Sequence, residues 1–597
     1  MDVKEVSVMK KGSKRRRKKR KLKIKRIIVC LIVLAIIIVG IIFGSKYLFK
    51  GISKVITKYD VNYLASNSNN VELYSYDTEN DALSKEKEMV RGTEVKANNK
   101  DVITKEEVNY VKIKIGDDEF YVNKDNIVKD KKKIVLEKEL FVRTPATIIG
   151  DLDKSTISGF ADKGSKVDVV DYDEVDKDGN VSTYKIKAGE TEGYVYGKYL
   201  VLDEESANAN YEAEKYDAIH SKIKNTYNGG DPMKLDYYPH EKVVFEDNKM
   251  PDAVYSLYLN SGVLGSVDSY IEFAKTTKIN SFVVDIVDDS AIGYASEVMK
   301  ELSPASYEAA INSVEDYKAA INKIKDAGFY VIGRITVFKD TYYVKDHKED
   351  AITSKSGELF LHNGSYWPSG YSRNVWYYKV ALAKEAVNLF GFNEINFDYV
   401  RFPDRMISIE NSVDLHNTYN EDKTQAIQRF VQYATDELHK VKAYVSIDVF
   451  GESTNGTYTT AYGQYWPAIS NVTDVMSGMP YPDHFSAGYY GISKPWNSPY
   501  ELMYAWASDA MKRQAECPTP AKVRTWVQAY DVMQHVDSNG ISYNGENVKK
   551  EIEGLYKAGA VDGYITWNSA SSLAKYKLQK SAFDIDYKEV YGSENNS

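Results

Sequence analysis

The stretch NEINFDYVRFPDR, residues 393–405, sets charge against an apolar run. Ile395, Phe397, Tyr399, Val400 and Phe402 read as a strand, yet Asp398 lies inside it and Arg401 follows. An unpaired buried charge costs about several kcal/mol. Such a strand is therefore expected to empty into a site where both groups have work or partners.

Working outward, apolar runs recur at 254–259, 281–287, 329–336, 394–400, 443–449, 472–477, 523–528 and 563–567. Amphipathic stretches separate them. In Val375–Phe390 the residues Val380, Ala383, Val387 and Phe390 share one helical face, and Asp422–Lys440 repeats the pattern. Eight strands alternating with helices predict a (β/α)8 TIM barrel of class α/β over 251–585. A doubly wound sheet is the structural alternative. The link TTAYGQYWPAIS (459–470) offers only a short helix.

Before the barrel, two stretches look alike. VRGTEVKA (90–97) with YVKIKIGDDEFYVNKDNIV (110–128) is matched by DKGSKVDVV (162–170) with YKIKAGETEGYVYGKYLV (184–201). Period-two alternation punctuated by glycine turns means small all-β modules, expected over 60–130 and 135–203. The second resembles the bacterial SH3-like domain through Arg143, Pro145, Lys163-Gly164 and Gly193-Tyr194-Val195. The first is a weaker match that lacks the glycine equivalent to Gly193. The resemblance implies binding of wall peptides or glycans; a plain spacer is the alternative. Residues 204–250, with NGGDP at 228–232, read as a linker.

The N-terminus reads as an address. Thirteen of the seventeen residues from Lys10 to Arg26 are Lys or Arg, and Ile27–Gly44 carries no charge. This pattern predicts a basic cytoplasmic tail (1–26), an uncleaved transmembrane helix (27–49) and an extracellular remainder. A cleaved signal peptide fits less well, because the run is long and no small-residue cleavage site follows. The chain carries a net −8, while its first 26 residues carry +12, leaving −20 for the rest. An acidic body argues against nucleic acid. The expected partners are a polysaccharide or peptidoglycan-type glycan and, through the N-terminal helix, a membrane. Cys30 falls in the apolar run and Cys517 stands alone outside it; eight histidines are scattered and no HExxH occurs. No cofactor or metal is expected.

In a barrel the chemistry gathers at the C-terminal ends of the strands. Those ends supply Asp285 and Asp288, Arg334, Asp398 with Arg401, Asp448 with Glu452, Tyr481 with His484, Trp526 with Gln528, and Trp567 with Asn568. Several carboxylates, aromatic platforms and donor-acceptor side chains are what cleavage of a glycosidic bond requires. One carboxyl acts as acid and another as nucleophile or base. Asp398 with Asp448 or Glu452 is the expected catalytic pair, with Arg334 and Arg401 lowering the pKa of Asp398. Trp526 and Trp567 are expected to stack on sugar. Asp285, Arg334, Arg401, Tyr481, His484, Gln528 and Asn568 complete the expected substrate-binding set. Each has a plainer reading: Asp398–Arg401 as an internal ion pair, Asp285 as a support for Arg334, Glu452 as solvated, Trp567 as a lid.

YVIGRITVFKD, EINFDYVRFPD, VSIDVFGE, MPYPDHF, VRTWVQAYD and GYITWNS, in this order, resemble the putative glycosyl hydrolase domain family of bacterial TIM-barrel proteins. Within the alpha-amylase-like clan the resemblance implies an Asp nucleophile ending strand four, matched by Asp398, and a Glu acid ending strand five. Here strand five ends in Asp448 and the glutamate, Glu452, comes four residues later. Asn396 stands where the clan has an arginine, and Val287 where the family is expected to have a lysine. The reading is a membrane-anchored extracellular glycoside hydrolase. The alternative is a non-catalytic glycan-binding or wall-organising barrel.

Overall fold

The computed structural model describes residues 59–533 and 542–591. They divide into two compact units, residues 59–136 with 177–179 and residues 137–176 with 180–533 and 542–591. The first unit holds a seven-stranded antiparallel sheet. Its strands, in spatial order, are Ala82–Val90, Asn70–Asp77, Asp118–Asn123, Val108–Ile115, Glu94–Lys105, Asp60–Leu64 and Ile127–Val128. Alternate residues point inward, so Val71, Leu73, Val111, Ile113, Phe120 and Val122 make its core.

The second unit opens with another seven-stranded antiparallel sheet: Thr156–Ala161, Ala146–Asp151, Thr191–Tyr196, Thr183–Ala188, Lys166–Tyr172, Glu139–Val142 and Leu200–Val201. Both sheets run third, second, sixth, fifth, fourth, first, seventh in chain order. The paired sequence patterns thus correspond to a repeated topology. Gly193 is required where its strand crosses Ala146–Asp151, because a Cβ there would lie 2.6 Å from the Ile149 carbonyl oxygen.

The barrel follows. Its strands are β1 (Val254–Leu259), β2 (Ser281–Asp288), β3 (Tyr330–Thr336), β4 (Glu394–Asp398), β5 (Tyr444–Phe450), β6 (Val475–Met479), β7 (Lys522–Val523 and Thr525–Gln528) and β8 (Gly563–Trp567). Neighbours pair in parallel from β1 to β6, and β8 returns to β1. The barrel is nearly closed: β7 breaks at Arg524, its first piece pairing with β6 and its second with β8. Helices α1 (Val267–Ala274), α2 (Val314–Asp326), α3 (Arg373–Phe390), α4 (Lys423–Lys440), α5 (Trp466–Val472), α6 (Pro499–Gln514) and α7 (Gly545–Lys557) connect successive strands. Ser372 caps the start of α3 by accepting from the Val375 amide, and Gly391 ends it in the left-handed region.

Strand alternation makes two cores. Ile395, Phe397, Val445 and Ile447 face the helices, where Val380, Ala383, Val387 and Phe390 of α3 meet them. Val254, Tyr258, Val283, Tyr330, Ile332, Tyr444 and Trp526 fill the barrel interior. Deep inside, Arg524 and Glu394 form a fully buried ion pair at 2.7 Å, and Tyr330 donates to Glu394 at 3.1 Å.

Within the second unit the antiparallel sheet is bonded to α4. Tyr196 donates to Glu437 at 2.6 Å, and Ser155 donates to the same carboxylate. Tyr199 donates to Asp436 at 2.6 Å, and Tyr433 donates back to the Ser155 carbonyl at 2.6 Å. Glu437 is fully buried, so Glu437→Ala takes the acceptor from the half-buried Tyr196 hydroxyl and the buried Ser155 hydroxyl. It is expected to cost about 3 kcal/mol, read from urea unfolding of the full chain.

The composite fold class expected from the sequence is corrected. The described N-terminal part is all-β, two sheets of repeated topology, and the barrel's seventh strand is split. Among the described residues no helix is long and apolar enough to cross a membrane; the segment 27–49 expected to do so lies outside the described residues. Strand four is also shorter than expected. It ends at Asp398 because Tyr399 turns into the left-handed region (φ 53°), its amide donating to its neighbour's Asp398 carboxylate at 2.6 Å.

Candidate functional site

A cleft of about 470 Å³ opens over the C-terminal ends of the strands. Arg334, from β3, is its electrostatic centre. One guanidinium nitrogen donates to Asp285 at 2.8 Å and to Asp288 at 3.3 Å, and another to Asp398 at 2.6 Å. Arg334 is 1% exposed. Burial alone would lower its pKa, but the carboxylates of Asp285 and Asp398 outweigh burial and raise it well above the ordinary value. Burial pushes Asp285 up to about 6 against the opposing pull of Arg334. Asp288 has a partly exposed side chain; burial would raise it too, yet there the Arg334 charge prevails and holds its pKa below the usual range.

Arg334 lies level with Asn396 in the β3–β4 register. The guanidinium that meets Asp398 therefore comes from the neighbouring strand, at the height where β4 itself carries an asparagine. Arg401 makes no such pair: it donates to the Phe402 carbonyl at 3.1 Å, lies 3.9 Å from Asp404, and stacks 4.1 Å over Phe450. The left-handed turn at Tyr399 carries the following chain away from Asp398.

Asp448 stands on β5 one residue beyond the Phe397–Ile447 pair, at the height of Asp398 on β4. Parallel neighbours are about 4.8 Å apart. One Asp448 oxygen accepts from Asn396 and from the Trp526 indole, each at 2.8 Å; the other is buried without a hydrogen-bond partner. Burial, then the charge of Asp398, raises its pKa well above the carboxylate range. Asp448 is fully buried and sits outside the cleft lining, whereas Asp398 lines it.

Tyr481, His484, Trp526 and Trp567 also line the cleft. Trp526 is 1% exposed and meets Trp567 edge-on, ring centres 5.6 Å apart; Trp567 is only half-buried. Glu452 is elsewhere, in the short turn Gly451–Thr454 beside an adjoining pocket. Gln528 and Asn568 are buried and do not line the cleft. Residues that the strand-end reading did not single out complete it: Tyr258, which donates to Asp285, Lys339, Tyr399, Phe450 and Met479. Tyr258 was detectable as the third inward position of β1 after Val254 and Ser256. Lys339 and Tyr399 come from loops, where no periodicity marks a facing. Among the described residues one group, His347, Glu349 and Asp350, brings three potential metal-ligating atoms within 4.8 Å of one another. It lies outside the cleft lining, and Asp350 is already held by Tyr343 and Ser372.

The family model described as "Putative glycosyl hydrolase domain" matches residues 253–573, more than half of the chain and the whole set of strands that forms this cleft. The chain belongs to that family. A search of curated proteins returns no match. Among solved structures, a hypothetical protein from Ruminiclostridium thermocellum is 32% identical over 32% of this chain and 97% of its own, with a TM-score of 0.28. The PgaB (BpsB) glycoside hydrolase domain from Bordetella bronchiseptica is 12% identical over 55% of this chain and 99% of its own (TM-score 0.40). The TtGalA alpha-galactosidase from Thermus thermophilus is 8% identical over 83% and 93% (TM-score 0.35).

Beneath the mouth of the glycosyl hydrolase domain, Gln528 accepts from the Asp483 amide at 3.0 Å, and the Gln528 amide donates to Glu551 at 3.1 Å. Glu551 is fully buried and bonded to Tyr543; burial raises its pKa to about 8. The folded state thus holds a proton that the unfolded chain releases near pH 4.5. Stability from this group is full below that pH and is lost as pH rises towards about 8. Glu551→Gln keeps a neutral amide in the same place. It should flatten the decline in stability between pH 5 and 8.5, read from thermal unfolding across that range.

Proposed function

We propose that this protein is a glycoside hydrolase acting on a cell-wall or exported polysaccharide, with Asp398 as its principal carboxylate. The observation that carries the reading is the placement of Asp398 at the end of β4, facing the cleft and paired with Arg334, with Asp448 level with it on β5. Hydrolysis needs two carboxyls in different protonation states, about 5–5.5 Å apart for retention or about 6.5–9.5 Å for inversion. Asp448, whose buried carboxyl is biased toward its protonated form, is the proton-holding partner. Tyr481 and Trp567 wall the space a sugar ring would occupy. Work outside the cytoplasm is part of the proposal, supported by the basic-then-apolar order of residues 10–44 and the acidic remainder.

A screen of wall glycans and soluble exported polysaccharides with the full chain, scored for released reducing ends and for binding, tests this reading. Release from one polysaccharide class supports it; binding without release from any sinks it. The position of Asp448 outside the cleft lining favours a second reading, a barrel that binds glycan without cutting it. Binding without release is the outcome that reading requires.

A further inference from the structure

Beside the main cleft, and sharing Phe450, Met479 and His484 with it, lies a second pocket of about 330 Å³. Its walls carry the rings of Phe450, Tyr458, Phe485 and Tyr489, and its one carboxylate is Glu452. The Tyr458 hydroxyl donates to one Glu452 oxygen at 2.9 Å and the Tyr462 hydroxyl to the other at 3.1 Å. These two bonds fix the carboxylate without neutralising it. Among the described residues no Lys or Arg side chain lines the pocket. Arg401 stacks on Phe450 but belongs to the main cleft. Desolvation holds the pKa of His484 below the ordinary histidine value, which disfavours a charge on its ring. Phe485 and Tyr489 meet edge to face, ring centres 5.0 Å apart, and Tyr489 stays 40% exposed at the rim.

A fixed, unneutralised carboxylate ringed by aromatic faces is complementary to an organic cation, which both the charge and the ring quadrupoles attract. We propose that this pocket is a subsite for a sugar carrying a free, protonated amine, one position along from the main cleft on the same glycan. The proposal rests on the glycoside hydrolase reading for the glycan and on the Glu452 pocket alone for the amine. It also gives Glu452 a specificity role in place of the catalytic one considered from the sequence.

The test uses the full chain carrying Asp398→Asn to prevent turnover, with glucosamine tetramer and its fully N-acetylated counterpart as probes in calorimetry. The amine tetramer should bind more tightly, with an affinity that falls as salt is raised. Adding Glu452→Gln should weaken it at least about tenfold while changing the N-acetylated tetramer less than about twofold. Tyr489→Ala, at an exposed rim where folding is not at stake, should weaken the amine tetramer selectively as well. Equal weakening of both probes by these changes, or no binding of the amine tetramer, overturns the proposal. Amine-selective binding by a protein that cuts no glycan keeps the subsite and sinks the hydrolase reading. Hydrolysis without Glu452-dependent selectivity does the reverse.

Discussion

Arg334→Met is expected to be the most destabilising single change in the barrel. The guanidinium holds three carboxylates at once, two of them almost wholly buried. Methionine fills comparable volume but leaves Asp285 and Asp398 facing each other without a cation. Breaking a buried pair by removing one partner costs about 3–5 kcal/mol. The loss should depend on pH in a definite direction. At acid pH Asp285, which burial raises to about 6 even beside the cation, is protonated and needs no partner, so the gap between variant and wild type is small. It widens as pH rises and the unfolded chain can ionise groups the folded variant must keep neutral. Urea unfolding at pH 4.5 and pH 7.5 measures this; an equal loss at both would mean that Arg334 acts through packing alone.

The second large effect is on turnover. Asp398→Asn preserves the shape of the side chain and its acceptance from the Tyr399 amide, but removes the charge that meets Arg334 and any nucleophile or base. A loss of at least about 10³-fold in kcat is expected, equivalent to ~4 kcal/mol of barrier, with KM little changed. The same substitution removes the charge that helps raise Asp448, so the pKa of Asp448 should fall in the variant. A variant that cuts as fast as the wild type would remove Asp398 from the chemistry.

These two residues were legible in the sequence because a charge inside an apolar strand is visible without a structure. The same logic placed Asp285, Tyr481, Trp526 and Trp567 around one opening, since each closes an alternating run. Partnerships across strands were less legible. The sequence pointed both Arg334 and Arg401 at Asp398; the register of β3 against β4 brings Arg334 there, while the left-handed turn at Tyr399 sends Arg401 to Phe450. The facing of Glu452 was not legible for a similar reason. Four residues past Asp448 the chain has left the strand for a short turn, so the glutamate looks into the adjoining pocket. The two N-terminal sheets were readable as repeats from alternation and glycine spacing. Bonding of the second sheet to α4 was not, because it depends on Glu437 and Asp436, which look like ordinary helix-surface residues until the sheet covers them.

A crystal structure of the Asp398→Asn variant soaked with the polysaccharide fragment that the wild type cuts tests the role of Asp398 directly. A glycosidic carbon should be seated over the end of β4, about 3–3.5 Å from the side-chain oxygen at position 398, with the ring against Trp567 and Tyr481. A fragment bound elsewhere on the chain, or lying across the mouth with its nearest glycosidic carbon more than about 6 Å from that oxygen, would contradict it.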